Sequence, residues 1–125
     1  PRTKNNLNKF KLYDKYNSNK KFNMIDPLGY IDFMNLQKNA KVVITDSGGI
    51  QEESSFFGIP CLTVRNNTER PITLVKGSNK LIGTNYADII THTPLAKNKG
   101  SRDIELWDGK SSKRIVKIIK EKLNV

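Results

Sequence analysis

The stretch that most constrains this chain is 41–64, where an apolar run, a glycine pair, a helix-length segment and a second apolar run follow one another. Val42-Val43-Ile44-Thr45 is β-branched with no polar alternation, which predicts a strand buried on both faces, as in a parallel sheet. It stops at Asp46-Ser47-Gly48-Gly49. Ile50 to Phe57 reads as a helix ended by Gly58, a residue suited to the left-handed conformation that closes helices, and Pro60 to Val64 as the next strand.

The remaining chain extends this alternation. Asn6 to Tyr16 predicts one amphipathic helix, closed by Asn17-Ser18-Asn19. Phe22 to Ile25 predicts a short strand ended by Asp26-Pro27, since a residue before proline is pushed out of helix. Tyr30, Phe33, Met34, Leu36 and Gln37 have helical spacing. Pro71 to Gly77 predicts a short helix, Lys80 to Ile82 a strand and Tyr86 to Ile90 a helix. After Gly109, Ile115, Ile118, Ile119 and Leu123 recur at intervals of three and four, so an amphipathic helix with outward lysines closes the chain. Strands alternating with short helices place the chain in the α/β class, a Rossmann-like parallel sheet flanked by helices with right-handed crossovers. At 125 residues it is expected to form one domain, 1–125.

Composition removes several function classes. One cysteine, Cys61, and one histidine, His92, exclude a disulfide framework and a zinc site of the usual kind, so no metal or cofactor is expected. The cysteine usage favours a cytoplasmic setting. The longest apolar runs are strand-sized, so no membrane partner is expected. A start at Pro1 without a leader predicts further chain upstream. The net charge of +10 is concentrated at the ends. Residues 1–21 carry seven basic side chains against one acid and 97–125 nine against four, while the middle 75 carry six against seven. These lysine-rich segments lack the interleaved aromatics of a nucleic-acid surface, so a solvated or partner-domain face is the expectation. A basic nucleic-acid module remains the alternative of a different class.

Chemistry-bearing residues gather where strands end. Ser47, Gly48 and Gly49 stand between a strand and a helix, where small residues let backbone N–H groups approach an anion and the helix dipole favours its charge. The plainer reading makes Ser47 a helix cap and the glycines a tight turn. Arg65 and Arg70, after the next strand, can grip phosphate oxygens or stand in solvent. In Asp26-Pro27-Leu28-Gly29-Tyr30-Ile31-Asp32-Phe33, backbone amides and the Phe33 ring could hold a flat base, with core packing of Phe33 as the alternative. All three loops are expected at one sheet edge.

In order and spacing, these residues resemble one family. Pro27-Leu28-Gly29-Tyr30, Thr45-Asp46-Ser47-Gly48-Gly49-Ile50-Gln51-Glu52-Glu53, Gly58-Ile59-Pro60, Arg65 with Thr68-Glu69-Arg70-Pro71, then Gly77, Asn79 and Gly83, are similar to non-hydrolysing UDP-N-acetylglucosamine 2-epimerases. Pro1-Arg2-Thr3 resembles that family's hinge, and Asp108-Gly109-Lys110 with Arg114-Ile115 the start of its last helix. The resemblance implies the C-terminal, UDP-binding half of a two-domain glycosyltransferase-B-type fold, without its N-terminal catalytic half. It further implies that Ser47, Gly48 and Gly49 meet the diphosphate, Glu53 the ribose, Arg70 the substrate cleft, and Leu28 to Phe33 the uracil.

The same resemblance implies interconversion of UDP-GlcNAc and UDP-ManNAc, by UDP elimination to a glycal and re-addition, for surface polysaccharide or glycan precursors. Acid and base groups would come from the absent half, so no catalytic residue is expected here. His92, after a helix, is read as a surface residue. The intact enzyme is expected to be a homodimer, and the last helix to pack partly on the absent half. An epimerase of a diacetamido uronic acid nucleotide and a glycosyltransferase of the same architecture are the enzyme alternatives. With Ile50 and Phe57 taken to face the sheet, Glu52 lies about 200° from Ile50 and Glu53 about 60°, which favours Glu53 as the glutamate that reaches the site.

Overall fold

The computed structural model describes residues 2–93 and 104–123 and divides the chain into two compact units, 1–35 and 36–125. Pro1 of the hinge-like segment, Pro94, and the 97–103 part of the basic C-terminal stretch lie outside the described residues.

In the first unit, the single expected helix is two, α1 (Arg2–Lys9) and α2 (Tyr13–Asn17). The break lies at Lys11, which is left-handed with φ of 55°. The Leu12 amide donates to the Leu7 carbonyl at 2.8 Å and the Lys11 amide to Asn8 at 3.0 Å, the paired bonds of a Schellman ending. Lysine rather than glycine holds the left-handed position, so composition did not mark it. The expected strand at Phe22 to Ile25 does not form. The Phe22 amide instead closes a turn on the Asn19 carbonyl at 2.8 Å, and its ring packs on Tyr16 with centroids 5.4 Å apart. The run therefore begins folded back rather than extended. Helix α3 (Tyr30–Lys38) starts as its spacing predicts.

The second unit carries the expected alternation, β1 (Val43–Thr45), α4 (Gly48–Phe57), β2 (Cys61–Thr63), α5 (Pro71–Val75) and β3 (Asn79–Leu81). The strands form a parallel sheet in the order β1-β2-β3, with Val43 beside Cys61 and Cys61 beside Asn79. Gly58 ends α4 at φ of 71°, and the amides of Gly58 and Ile59 return to the Ser55 and Ser54 carbonyls. Helices α6 (Tyr86–His92) and α7 (Ser111–Leu123) follow.

Two expectations about burial are corrected. Strand β1 is not covered on both faces, for Ile44 is 45 % exposed. It is the edge of this sheet, with one neighbour among the described residues, and the central β2 takes the buried role. Helix α4 does not turn Ile50 and Phe57 inward; its buried residues are Gln51, Ser54 and Ser55. Small side chains let the helix lie close, and part of the polar set is bonded internally, Gln37 Nε2 reaching Ser54 Oγ at 2.8 Å, while Gln37 Oε1 and Gln51 Nε2 are buried without a partner among the described residues. The core is thus part apolar, with Ile59, Cys61, Leu62, Ile82 and Ile104, and part polar, with Gln37, Gln51, Thr63, Thr73 and Asn79.

His92 closes α6 rather than following it, with Nδ1 2.8 Å from the Asp88 carbonyl. No residue of α7 is buried, and Ile115, Val116, Ile118, Ile119 and Leu123 are all exposed. Among the described residues no helix is long and apolar enough to cross a membrane.

Candidate nucleotide site

Because β1 and β2 are parallel, the chain leaves both at the same edge of the sheet, so Asp46-Ser47 and the 64–70 loop emerge together. These are two of the three loops expected there. The third, with Leu28 and Phe33, belongs to the first unit and follows no strand. Within that unit Leu28 is exposed, and Phe33 is half-buried with its amide bonded to the Gly29 carbonyl at 2.9 Å.

Ser47 precedes α4 in extended conformation, and its amide donates to Thr45 Oγ1 at 3.0 Å. Its side chain makes no capping bond, so the hydroxyl is not engaged by the helix start. The first turn-closing bond comes only from the Gln51 amide, to the Ser47 carbonyl at 3.4 Å. The amides ahead of it belong to the group that a helix N-terminus leaves without intrahelical partners. A side chain at Gly49 would meet nothing within 4 Å, so this position is open. At Gly48 it would come within 3.1 Å of Glu69 Oε1 and 3.8 Å of Arg70 Nε. The 64–70 loop therefore folds over the first residue of α4.

Both loop arginines are paired with acids. Arg65 Nη1 lies 3.0 Å from Glu69 Oε2, and the Glu69 carboxyl is held below its ordinary range by its own backbone amide and then by Arg65. Arg70 Nε lies 3.2 Å from Glu52 Oε1, close enough for charge attraction but off line for a hydrogen bond, which leaves that buried nitrogen unbonded. The structure thus adds Glu52 and Glu69 to the site. Glu69 sits in the same polar loop as Arg70, whereas Glu52, about 200° from Ile50, stands away from the site only if Ile50 faces the sheet, which it does not.

With Gln51, Ser54 and Ser55 inward, Glu52 and Glu53 lie about 110° and 150° from the buried direction, so helix rotation no longer singles out Glu53. Another observation distinguishes them. Both are half-buried, yet Glu52 is occupied by Arg70 while Glu53 has no hydrogen bond or ion pair among the described residues. Cys61 is buried, and that burial pushes its thiol pKa up, so it is no nucleophile. Among the described residues, no three His, Cys, Asp or Glu side chains gather to hold a metal.

Comparison with known proteins gives the arrangement a family. Residues 1–120 match the family described as UDP-N-acetylglucosamine 2-epimerase. The curated UDP-N-acetylglucosamine 2-epimerase of Methanocaldococcus jannaschii is 46 % identical over 120 residues, 95 % of this chain and 33 % of the relative. That of Escherichia coli K12 is 36 % identical over 104 residues, 78 % of this chain and 28 % of the relative. A crystal structure of the M. jannaschii epimerase in complex with UDP-GlcNAc and UDP superposes with a TM-score of 0.83 at 45 % identity, over 97 % of this chain and 34 % of that one. The chain spans about a third of the length of the curated relatives it matches. A family match over nearly every residue, joined to a parallel α/β sheet that brings Ser47, Gly48 and Arg70 to one edge, makes this chain a member of the UDP-N-acetylglucosamine 2-epimerase family.

Proposed function

We propose that this chain is the UDP-binding half of an epimerase that interconverts UDP-GlcNAc and UDP-ManNAc, and that residues 1–125 act as one nucleotide-binding domain. The observation that carries the reading is the start of α4, with an unengaged Ser47 hydroxyl, an open Gly49 and Arg70 beside Gly48. Similarity over 97 % of the chain to an epimerase crystallised with UDP-GlcNAc and UDP supports it. In this reading the N-terminal amides of α4 and Ser47 receive the diphosphate, and Arg70 adds positive charge. Glu53 accepts bonds from the ribose hydroxyls, and Leu28 to Phe33 face the uracil.

The sugar then lies against the two thirds of the relatives' length that this chain does not span, which is where acid and base carboxylates are assigned. A base takes the C2 proton as the C1–O bond to UDP breaks, giving a glycal. UDP is then added back at C1 with a proton delivered to the opposite face of C2, which inverts that centre. The exposed apolar stripe of α7 is proposed to meet that other part, and the intact enzyme to be a cytoplasmic homodimer with neither nucleic acid nor membrane as partner.

Calorimetry with UDP tests the reading, with a Kd expected in the micromolar to millimolar range, ~4 to 8 kcal/mol. Glu53→Ala should weaken UDP by about 1.5 to 3 kcal/mol, the range for bonds to a charged group, and abolish the preference over the 2′-deoxy analogue. Proton NMR of UDP-GlcNAc incubated with the chain alone should show no ManNAc product. Turnover by these 125 residues would refute the assignment of acid and base groups elsewhere.

A further inference from the structure

Resting on the reading of Arg70 as a diphosphate contact, we infer that Thr68, backed by the buried amides of Gln51 and Asn79, is the positioning residue that aims Arg70. Arg70 is held by both of its backbone polar groups. Its N–H donates to Thr68 Oγ1 at 3.0 Å, and its carbonyl accepts from Thr73 Oγ1 at 2.7 Å. Neither threonine hydroxyl is independent. Thr68 Oγ1 donates to Gln51 Oε1 at 2.6 Å, and Asn79 Nδ2 donates to the same oxygen at 3.0 Å and to Thr73 Oγ1 at 3.1 Å. Asn79 Oδ1 in turn accepts from Thr63 Oγ1 of the central strand at 2.6 Å.

The arrangement is a closed circuit from sheet to helix to loop and back. Gln51, Thr63 and Thr73 are fully buried and Asn79 is 7 % exposed, so water is kept from the bonds that Asn79 makes to Gln51, Thr63 and Thr73, while those of Thr68 and Arg70 are part-buried. In such surroundings a polar group favours the arrangement that bonds it, and here the three threonine hydroxyls and both amide oxygens are bonded while Gln51 Nε2 is not. Its rigid parts are α4 and β3, and its output is the backbone of a single loop residue. By contrast, among the described residues the Arg70 side chain is held only through Glu52, in an exposed pair of the kind that contributes little. Backbone placement by Thr68, rather than that pair, keeps the guanidinium over Gly48. Thr68 touches no ligand in this scheme and acts through Arg70.

A double-mutant cycle on UDP affinity in the intact protein tests the inference, using Thr68→Val, Thr68→Ser, Arg70→Ala and the pair Thr68→Val with Arg70→Ala. Valine keeps the shape of threonine and loses the hydroxyl, whereas serine keeps the hydroxyl. Thr68→Val should weaken UDP roughly five- to tenfold, the factor that a lost hydrogen bond carries, with Thr68→Ser near wild type. The double variant should be no weaker than Arg70→Ala alone, and uridine, which has no phosphate, should bind Thr68→Val and wild type alike. A Thr68→Val loss that adds fully to Arg70→Ala, or that extends to uridine, would mark a merely structural residue and overturn the inference. If Arg70→Ala weakens UDP and Thr68→Val does not, the inference alone falls. If Arg70→Ala leaves UDP affinity unchanged, it falls together with the assignment of Arg70.

Discussion

Gly77→Ala is expected to be among the most damaging single-methyl changes in the second unit, for reasons of space rather than backbone conformation. A Cβ at Gly77 would stand 2.5 Å from the Thr73 carbonyl oxygen and 2.8 Å from Ser55 Cβ, against ordinary contact distances of ~3.5 to 4.0 Å. Neither neighbour can yield cheaply. The Thr73 oxygen belongs to the backbone of α5, and Ser55 is fully buried on α4 with its Oγ accepting from the Ser78 amide at 3.3 Å. Overpacking of this kind costs ~1 to 3 kcal/mol, while replacing glycine returns about 0.4 to 1 kcal/mol through the unfolded chain. The midpoints leave a net loss of ~1.3 kcal/mol, which corresponds to a Tm lower by roughly 5 to 10 °C for a unit of about 90 residues. Calorimetric melting checks the size, and Ser55→Gly supplies the control. Removing the Ser55 side chain should lessen the cost of Gly77→Ala, leaving the carbonyl clash. A Gly77→Ala protein within ~0.5 kcal/mol of wild type, or costs that add without coupling, would refute the packing argument.

The second glycine near the site should behave oppositely. A Cβ at Gly48 crowds only the tip of Glu69, a half-exposed side chain, and meets Arg70 Nε at an ordinary 3.8 Å, so Gly48→Ala should leave stability within about 0.5 kcal/mol in thermal melts. The same methyl blocks anion approach, and UDP affinity by calorimetry should fall on the order of tenfold, about 1.4 kcal/mol. Asp108 is held at about 2 by bonds from Arg114 and then from the Lys110 amide. Its folded pKa is depressed, so its contribution is present above the unfolded value of ~3.9 and lost as pH falls through about 2. Carboxyl NMR should place its titration near 2, and Arg114→Ala should raise the midpoint; an unmoved midpoint would exclude the pair as the cause.

The βαβ core was legible because its punctuation is local. Gly58 must be left-handed, Pro71 begins a helix, and Gly77 precedes a strand, so the elements from β1 to β3 follow from neighbours in sequence. Ser47, Gly48 and Gly49 were legible for the same reason, since a strand's end and a helix's start are both visible in nine residues. What was not legible depends on what lies opposite. The two-helix break at Lys11 uses an ordinary lysine in a glycine position, and Phe22 has strand propensity but an amide taken by Asn19. Helix α4 misled most, because periodicity assumes that the inward face is apolar, and here Gln51, Ser54 and Ser55 occupy it. Burying the Gln51 amide oxygen is offset because Thr68 and Asn79, 17 and 28 residues away, both donate to it, while its Nε2 is left without a partner among the described residues. A polar residue in the wrong place by pattern thus marked a bonded hub beneath the loop that carries Arg70. The departure from the amphipathic rule and the placing of the loop have one source: α4 lies close to its sheet through small and amide side chains, and the Gln51 amide then accepts from the loop beside the helix start.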